Sequence, residues 1–195
     1  MTTVSRTRKL AGTAMLAAVS TVLSFLAFPV PLMPSFIKLD FAELPALIAS
    51  FAYGPIAGVA VCLVKNLISL MKTSSGGIGT LCNFLLGVAF VVPAGVVYMK
   101  KRTRAGALLG SVTGALVMAV LSIFFNYYIV YPMYTAFMPM EAIIGMYQAI
   151  NPRVRNLWDA LIWFNTPFTF IKGLCSVVIA FIVYKPMSPF LKGKA

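Results

Sequence analysis

Histidine is absent from the chain's 195 residues, and the acidic residues number only four: Asp40, Glu43, Glu141 and Asp159. The first absence removes imidazole acid–base chemistry, Ser-His-Asp triads and histidine-held metals. The second leaves too few carboxylates for an oxygen-ligand metal cage or a proton relay, so no metal site is expected. Cysteine is scarce too. Cys62, Cys82 and Cys175 stand inside apolar runs without metal-ligand spacing, which reads as free thiols serving as small hydrophobes. No P-loop motif occurs, so the chain has no such means of coupling to ATP itself. Charged residues make up 10% of the sequence, against roughly 25% in soluble domains. A soluble globular protein is excluded.

What fills the chain is apolar: 61% hydrophobic residues and a mean hydropathy of +0.94. The net charge of +12 does not signify nucleic acid, because the basic residues form short clusters between long apolar runs, the pattern of membrane-flanking charge. The runs lie at about Leu10–Phe28, Glu43–Tyr53, Pro55–Met71, Ile78–Met99, Ala105–Tyr131 and Leu157–Tyr184, with a loop after Tyr131. The first continues into Pro29-Val-Pro31 without a clear cleavage motif and is taken as an uncleaved span. The expectation is an all-α, six-helix membrane bundle forming one domain over residues 1–195.

Charge counting orients it. With both termini cytoplasmic, the inner side carries Arg6, Arg8, Lys9, Lys100, Lys101, Arg102, Arg104, Lys185, Lys192 and Lys194 and no acid. The outer side carries Lys38, Lys72, Arg153 and Arg155 with all four acids. Cytoplasmic enrichment in lysine and arginine favours this N-in, C-in arrangement in a cell membrane.

Two stripes of small residues stand out. Ala14 and Ala18 are spaced one helical turn apart on the first span, and Gly106, Gly110 and Gly114 repeat that spacing on the fifth. Small residues let helices approach closely in lipid, where no hydrophobic effect drives them together. Either stripe can pack the bundle internally or dock a partner membrane protein.

The informative residues are polar groups inside spans, since an ionisable side chain at mid-membrane costs about 2.5–3.5 kcal/mol on insertion scales. Asn165, Thr169 and Lys172 recur at i, i+4 and i+7 and so share one face of the last helix. Helical side chains lean toward the N-terminus, so Lys172 reaches toward the outer half and away from a cytoplasmic snorkel. Asn83 and Asn126 fall near the outer ends of the fourth and fifth spans, as pocket residues or interhelical hydrogen bonds. Lys65-Asn66, on the third span, receives no role. The segment 29–45 mixes prolines with Phe36, Leu39, Phe41 and the charged Lys38, Asp40 and Glu43, which suits an outer lid folded over the bundle. Asp40 precedes Glu43 by three residues, so it either caps the second helix or meets a ligand.

At these residues the sequence resembles the riboflavin-specific substrate-binding (S) component of energy-coupling factor (ECF) transporters. The elements are Ala14-x-x-x-Ala18, Lys38-Leu-Asp-Phe-Ala-Glu-Leu-Pro45 with Gly54-Pro55 beyond it, Asn83-Phe84, Asn126-Tyr-Tyr128 with Pro132-Met-Tyr134, and Pro167-Phe-Thr-Phe-Ile-Lys-Gly173. The resemblance implies a non-catalytic six-helix component that needs no cofactor and binds the vitamin from outside. It also implies association with a transmembrane coupling subunit, met by Ala14 and Ala18, and with two cytoplasmic ATPases. Carried over, Leu39 and Asp40 are lid contacts, and Asn83, Asn126 and Lys172 are polar pocket contacts. One departure is Thr169, which stands where the family usually has Asn, with Asn165 a turn further out. The chemistry agrees: amides can pair with the carbonyl and imide edge of isoalloxazine, Lys172 can donate to a carbonyl, and Phe, Met and Leu suit the dimethylbenzene edge.

The rivals are an S component for FMN or another vitamin, a small intramembrane enzyme, and a stand-alone carrier. FMN would need a cation near the pocket mouth, for which Lys38 or Lys72 could serve. An enzyme would need a convergent acid, base or nucleophile, and the deep charges are only Lys65 and Lys172. A carrier would need a continuous polar path, whereas the inner halves of the spans are almost purely apolar.

Overall fold

The computed structural model describes residues 6–34, 37–72 and 76–191, with side chains through Ile182. Phe36 of the expected lid and Lys192 and Lys194 of the expected inner charge cluster lie outside the described residues, and Lys185 is described by its backbone only. Helix α1 (Arg6–Phe25) leads into a two-stranded antiparallel hairpin, β1 (Phe28–Pro29) and β2 (Lys38–Leu39), with Phe28 opposite Leu39 and Pro29 opposite Lys38. Helices α2 (Glu43–Tyr53) and α3 (Pro55–Ser69) follow, the latter extended by a 3-10 turn, Leu70–Lys72. Then come α4 (Ile78–Lys100) and α5 (Arg104–Phe125). A π-helical turn, Asn126–Val130, carries α5 directly into α6 (Tyr131–Tyr134). After α7 (Met140–Gln148), α8 (Leu157–Ala160) passes through a second π turn, Leu161–Asn165, into α9 (Thr166–Leu191).

Local chemistry explains the breaks. Gly54 adopts φ 100, a left-handed conformation that strains other residues, and its N–H closes α2 on the Ser50 carbonyl at 3.0 Å. Pro55 then opens α3, where a missing N–H costs nothing. The Thr103 hydroxyl caps α5 by accepting the Gly106 N–H at 3.1 Å. The Asn156 side chain caps α8 through the Asp159 N–H at 2.9 Å. Much of the segment expected as a loop after Tyr131 is therefore helical, in α6 and α7. Tyr131, Ile143, Tyr147, Val154 and Leu161 give it a small core of its own.

Among the described residues, four helical rods are long and apolar enough to cross a bilayer: Pro55–Lys72, Ile78–Lys100, Arg104–Tyr134 and Leu157–Ile182. Helix α1 has 20 residues, but Arg6, Arg8, Lys9 and several Ser and Thr dilute its hydropathy. Helix α2 has 11 residues, or about 16 Å at a rise of about 1.5 Å each, roughly half of a ~30 Å hydrocarbon core. Its residues Glu43 through Ser50 are all buried, and it packs against α1, α3, α4 and α9. The outer surface is apolar: Leu10, Met15, Ile56, Met71, Ile162 and Trp163 are all exposed, which suits lipid and would be a large liability in water.

The two small-residue stripes have different fates. Gly106, Gly110 and Gly114 are buried, and a methyl carbon at Gly110 would stand 2.6 Å from the Ala94 carbonyl oxygen. One at Gly114 would press into the Phe90 carbonyl oxygen. This is an internal α4–α5 seam. Ala14 and Ala18 are instead exposed on α1, while Ala17, Ser20 and Thr21 form its buried face. Packing within this chain therefore does not explain the alanine stripe.

Candidate ligand-binding site

A cavity of about 690 Å³ opens between the hairpin and α1, α3, α4, α5 and α9. That volume lies in the range of about 300–1,000 Å³ usual for small-molecule sites. Its lining mixes apolar side chains, among them Ile37, Leu86, Met118, Val130 and Phe168, with amides, hydroxyls and charges. Asp40, Asn83, Asn126, Asn165, Thr169 and Lys172, expected from sequence, all line it. Leu39 is not among the lining residues. It pairs with Phe28 in the hairpin, while its neighbours Lys38 and Asp40 border the hollow.

Two of the amides sit in the π turns. Asn126 opens the first and Asn165 closes the second. A π turn adds a residue to the helical ladder and redirects the side chains around it, which is why such turns recur at binding sites. Asn126 spends one amide hydrogen on the Ser122 carbonyl at 2.7 Å. Asn165 donates to the Tyr131 hydroxyl at 2.9 Å and accepts from the Tyr147 hydroxyl at 2.7 Å. The two hydroxyls also bond to each other. Asn165 is thus held rigidly by aromatic hydroxyls from two other segments, neither of which the sequence reading had marked.

The charged wall is a chain of four groups. Lys172 Nζ lies 3.2 Å from Asp40 Oδ2 and 3.2 Å from Glu43 Oε2. Lys65 Nζ lies 3.3 Å from Glu43 Oε1. The order Lys65–Glu43–Lys172–Asp40 alternates in sign and sums to zero. All four residues are buried. Charges so deep persist only when paired and hydrogen-bonded. Gly173 helps to place Lys172: a methyl carbon there would come within 2.9 Å of Ala115 Cβ and Met118 Cε, so α9 can press closely on α5.

Asp40 stands at the entry to α2 and on the cavity lining at once. One carboxylate oxygen receives the Ala42 N–H at 2.9 Å, at the entry to α2, and the other receives Lys172. Ser20 on α1 adds a hydrogen bond to the Ala42 carbonyl at 2.5 Å, fixing this entry from the opposite side. Glu43 and Lys65 are what sequence reasoning missed. The signal was available by counting: two lysines stood inside apolar spans, and a buried cation needs a carboxylate.

The fold and the hollow together define a class: a mostly helical, lipid-suited bundle around a hollow of mixed polar and apolar lining, of a size for one small molecule. Comparison with known proteins narrows this. A model of the family "ECF transporter, substrate-specific component" matches residues 8–184, and the chain belongs to that family. It is 31% identical over 185 residues to the riboflavin transporter RibU of Staphylococcus aureus, covering 95% of this chain and 93% of that one. It is 30% identical over 190 residues to the riboflavin transporter FmnP of Bacillus subtilis, covering 96% and 95%. A solved structure of the S component of a bacterial ECF transporter superposes with a TM-score of 0.76 at 31% identity, covering 96% of this chain and 99% of that one.

Proposed function

We propose that this chain binds riboflavin and takes it up as the substrate-binding component of an ECF-type transporter. The observation that carries the reading is the cavity itself: Asn83, Asn126, Asn165, Thr169 and Lys172 line the same hollow as Leu86, Met118 and Phe168. Isoalloxazine presents carbonyls and an imide N–H at one edge and a dimethylbenzene ring at the other, so both kinds of lining have a counterpart. Lys172 has three donors and directs bonds to Asp40 and Glu43, which leaves one for a ligand carbonyl. Relatives described as riboflavin transporters, aligned along nearly the full chain, support the same ligand.

In this reading the chain forms one membrane domain that crosses the cell membrane with six helical segments, α2 being a short one, and has both termini in the cytoplasm. Residues 29–45 form the outer lid, which includes most of the hairpin. The exposed Ala14 and Ala18 face the transmembrane coupling subunit, and two cytoplasmic ATPases supply the energy. The chain itself carries out no catalysis and needs no cofactor or metal.

The test is direct. Protein purified in detergent is expected to carry a yellow flavin spectrum or to quench added riboflavin fluorescence stoichiometrically. A colourless protein that leaves riboflavin fluorescence unchanged overturns the proposal. FMN is a second reading favoured by one observation: Lys38 and Lys72 both line the cavity and could hold a phosphate. Competition between riboflavin and FMN for the quenching signal decides between them.

A further inference from the structure

The mechanism just proposed uses Lys172 and leaves two buried charges, Glu43 and Lys65, without a role. Both line the cavity, and neither side chain is more than 4% exposed. Glu43 stands in the first turn of α2, where the helix dipole favours an anion. Its carboxylate bridges two ammonium groups, from α3 and from α9. Without Glu43, Lys172 would keep Asp40 alone, and Lys65 would be a buried cation with no carboxylate. Without Lys65, the wall would hold two carboxylates against one ammonium.

We propose that Glu43 and Lys65 are positioning residues for ligand capture: Glu43 holds the Lys172 ammonium in place within the cavity, Lys65 holds Glu43, and their opposite charges keep the wall neutral. Resting on the riboflavin reading, this explains how a site with four buried charges suits an uncharged ring edge. The ammonium is already neutralised, so it offers a directed N–H and not a net positive field. An excess of either sign would turn the wall toward water or counter-ions and away from a neutral carbonyl.

Charge balance gives a test that loss of packing does not mimic. Glu43→Gln leaves one surplus positive charge, Lys65→Met one surplus negative charge, and the double variant leaves the neutral Lys172–Asp40 pair. Each single variant is expected to weaken riboflavin binding about tenfold or more, and the double to bind several-fold better than either single, a strongly non-additive cycle of the kind expected within one ion-pair network. The same cycle is read in ligand-free protein by thermal unfolding in detergent, where the double should melt above both singles. A double variant no better than its worse parent, in binding and in melting, overturns the proposal. Failure of the wild type to bind riboflavin would instead sink the ligand reading, and the ligand-free melting cycle would still decide whether the four charges act as one balanced unit.

Discussion

Helices α4 and α5 meet in two ways along their length, and the contrast accounts for much of the molecule. At one end, Gly110 and Gly114 bring α5 against the backbone carbonyls of Ala94 and Phe90. Toward the other end the same helices separate. Asn83 and Leu86 of α4, Met118 of α5 and Asn126 beyond it line the cavity. Glycine at the seam removes every side chain between two backbones, so dispersion forces hold the helices where lipid supplies no hydrophobic drive. Beyond it, larger side chains and a π turn border a space lined by both polar and apolar groups. One pair of helices thus forms a close seam at one end and part of the cavity lining at the other.

That comparison can be broken from either side. The largest effect is expected at the seam. Gly114→Leu forces a side chain into the Phe90 carbonyl, which the helix backbone cannot vacate, and should destabilise the fold by about 3 kcal/mol, the upper end for overpacking. Thermal unfolding in detergent measures it, and a melting temperature like that of the wild type would mean that the seam is looser than described. Next comes the cavity. Lys172→Ala should weaken riboflavin binding by about 1.5–3 kcal/mol, the range for a hydrogen bond to a charged group. Fluorescence titration reads it, and unchanged affinity would show that the ammonium does not contact the ligand. The smallest effect on the folded protein is expected at the other small-residue stripe. Ala14→Trp with Ala18→Trp adds bulk to an exposed face and should shift stability by less than about 0.5 kcal/mol while sparing riboflavin binding. Cellular uptake should nonetheless be lost if that face meets the coupling subunit. Lost binding in this variant would place the alanines in the bundle's own packing.

The site was legible in unequal parts. Lys172, Thr169 and Asn165 could be found because helical periodicity puts them on one face and because polar groups in apolar runs require an explanation. Asp40 could be found only as an alternative, since one carboxylate beside a helix start has two uses; here it accepts the Ala42 N–H and pairs with Lys172. Glu43 entered only as a charge of the lid segment and as the residue three positions after Asp40. Lys65 had no assigned role, because its partner lies 22 positions away and on another helix. Nothing in the sequence sets Tyr131 and Tyr147 apart from the other tyrosines. The Tyr147 hydroxyl reaches Asn165 from α7, which lies in a segment expected as a loop, and the Tyr131 hydroxyl reaches it from α6.

The lipid setting, the helical content, the approximate helix positions and the shortlist of polar residues were fixed by composition and periodicity, since these express the cost of each residue in an apolar solvent. Which small-residue stripe packs inside, which acid neutralises which lysine, and where two helices part to leave a hollow were settled by tertiary structure alone. Those outcomes depend on contacts between distant segments, and a linear pattern specifies what each segment must bury but not what it is buried against.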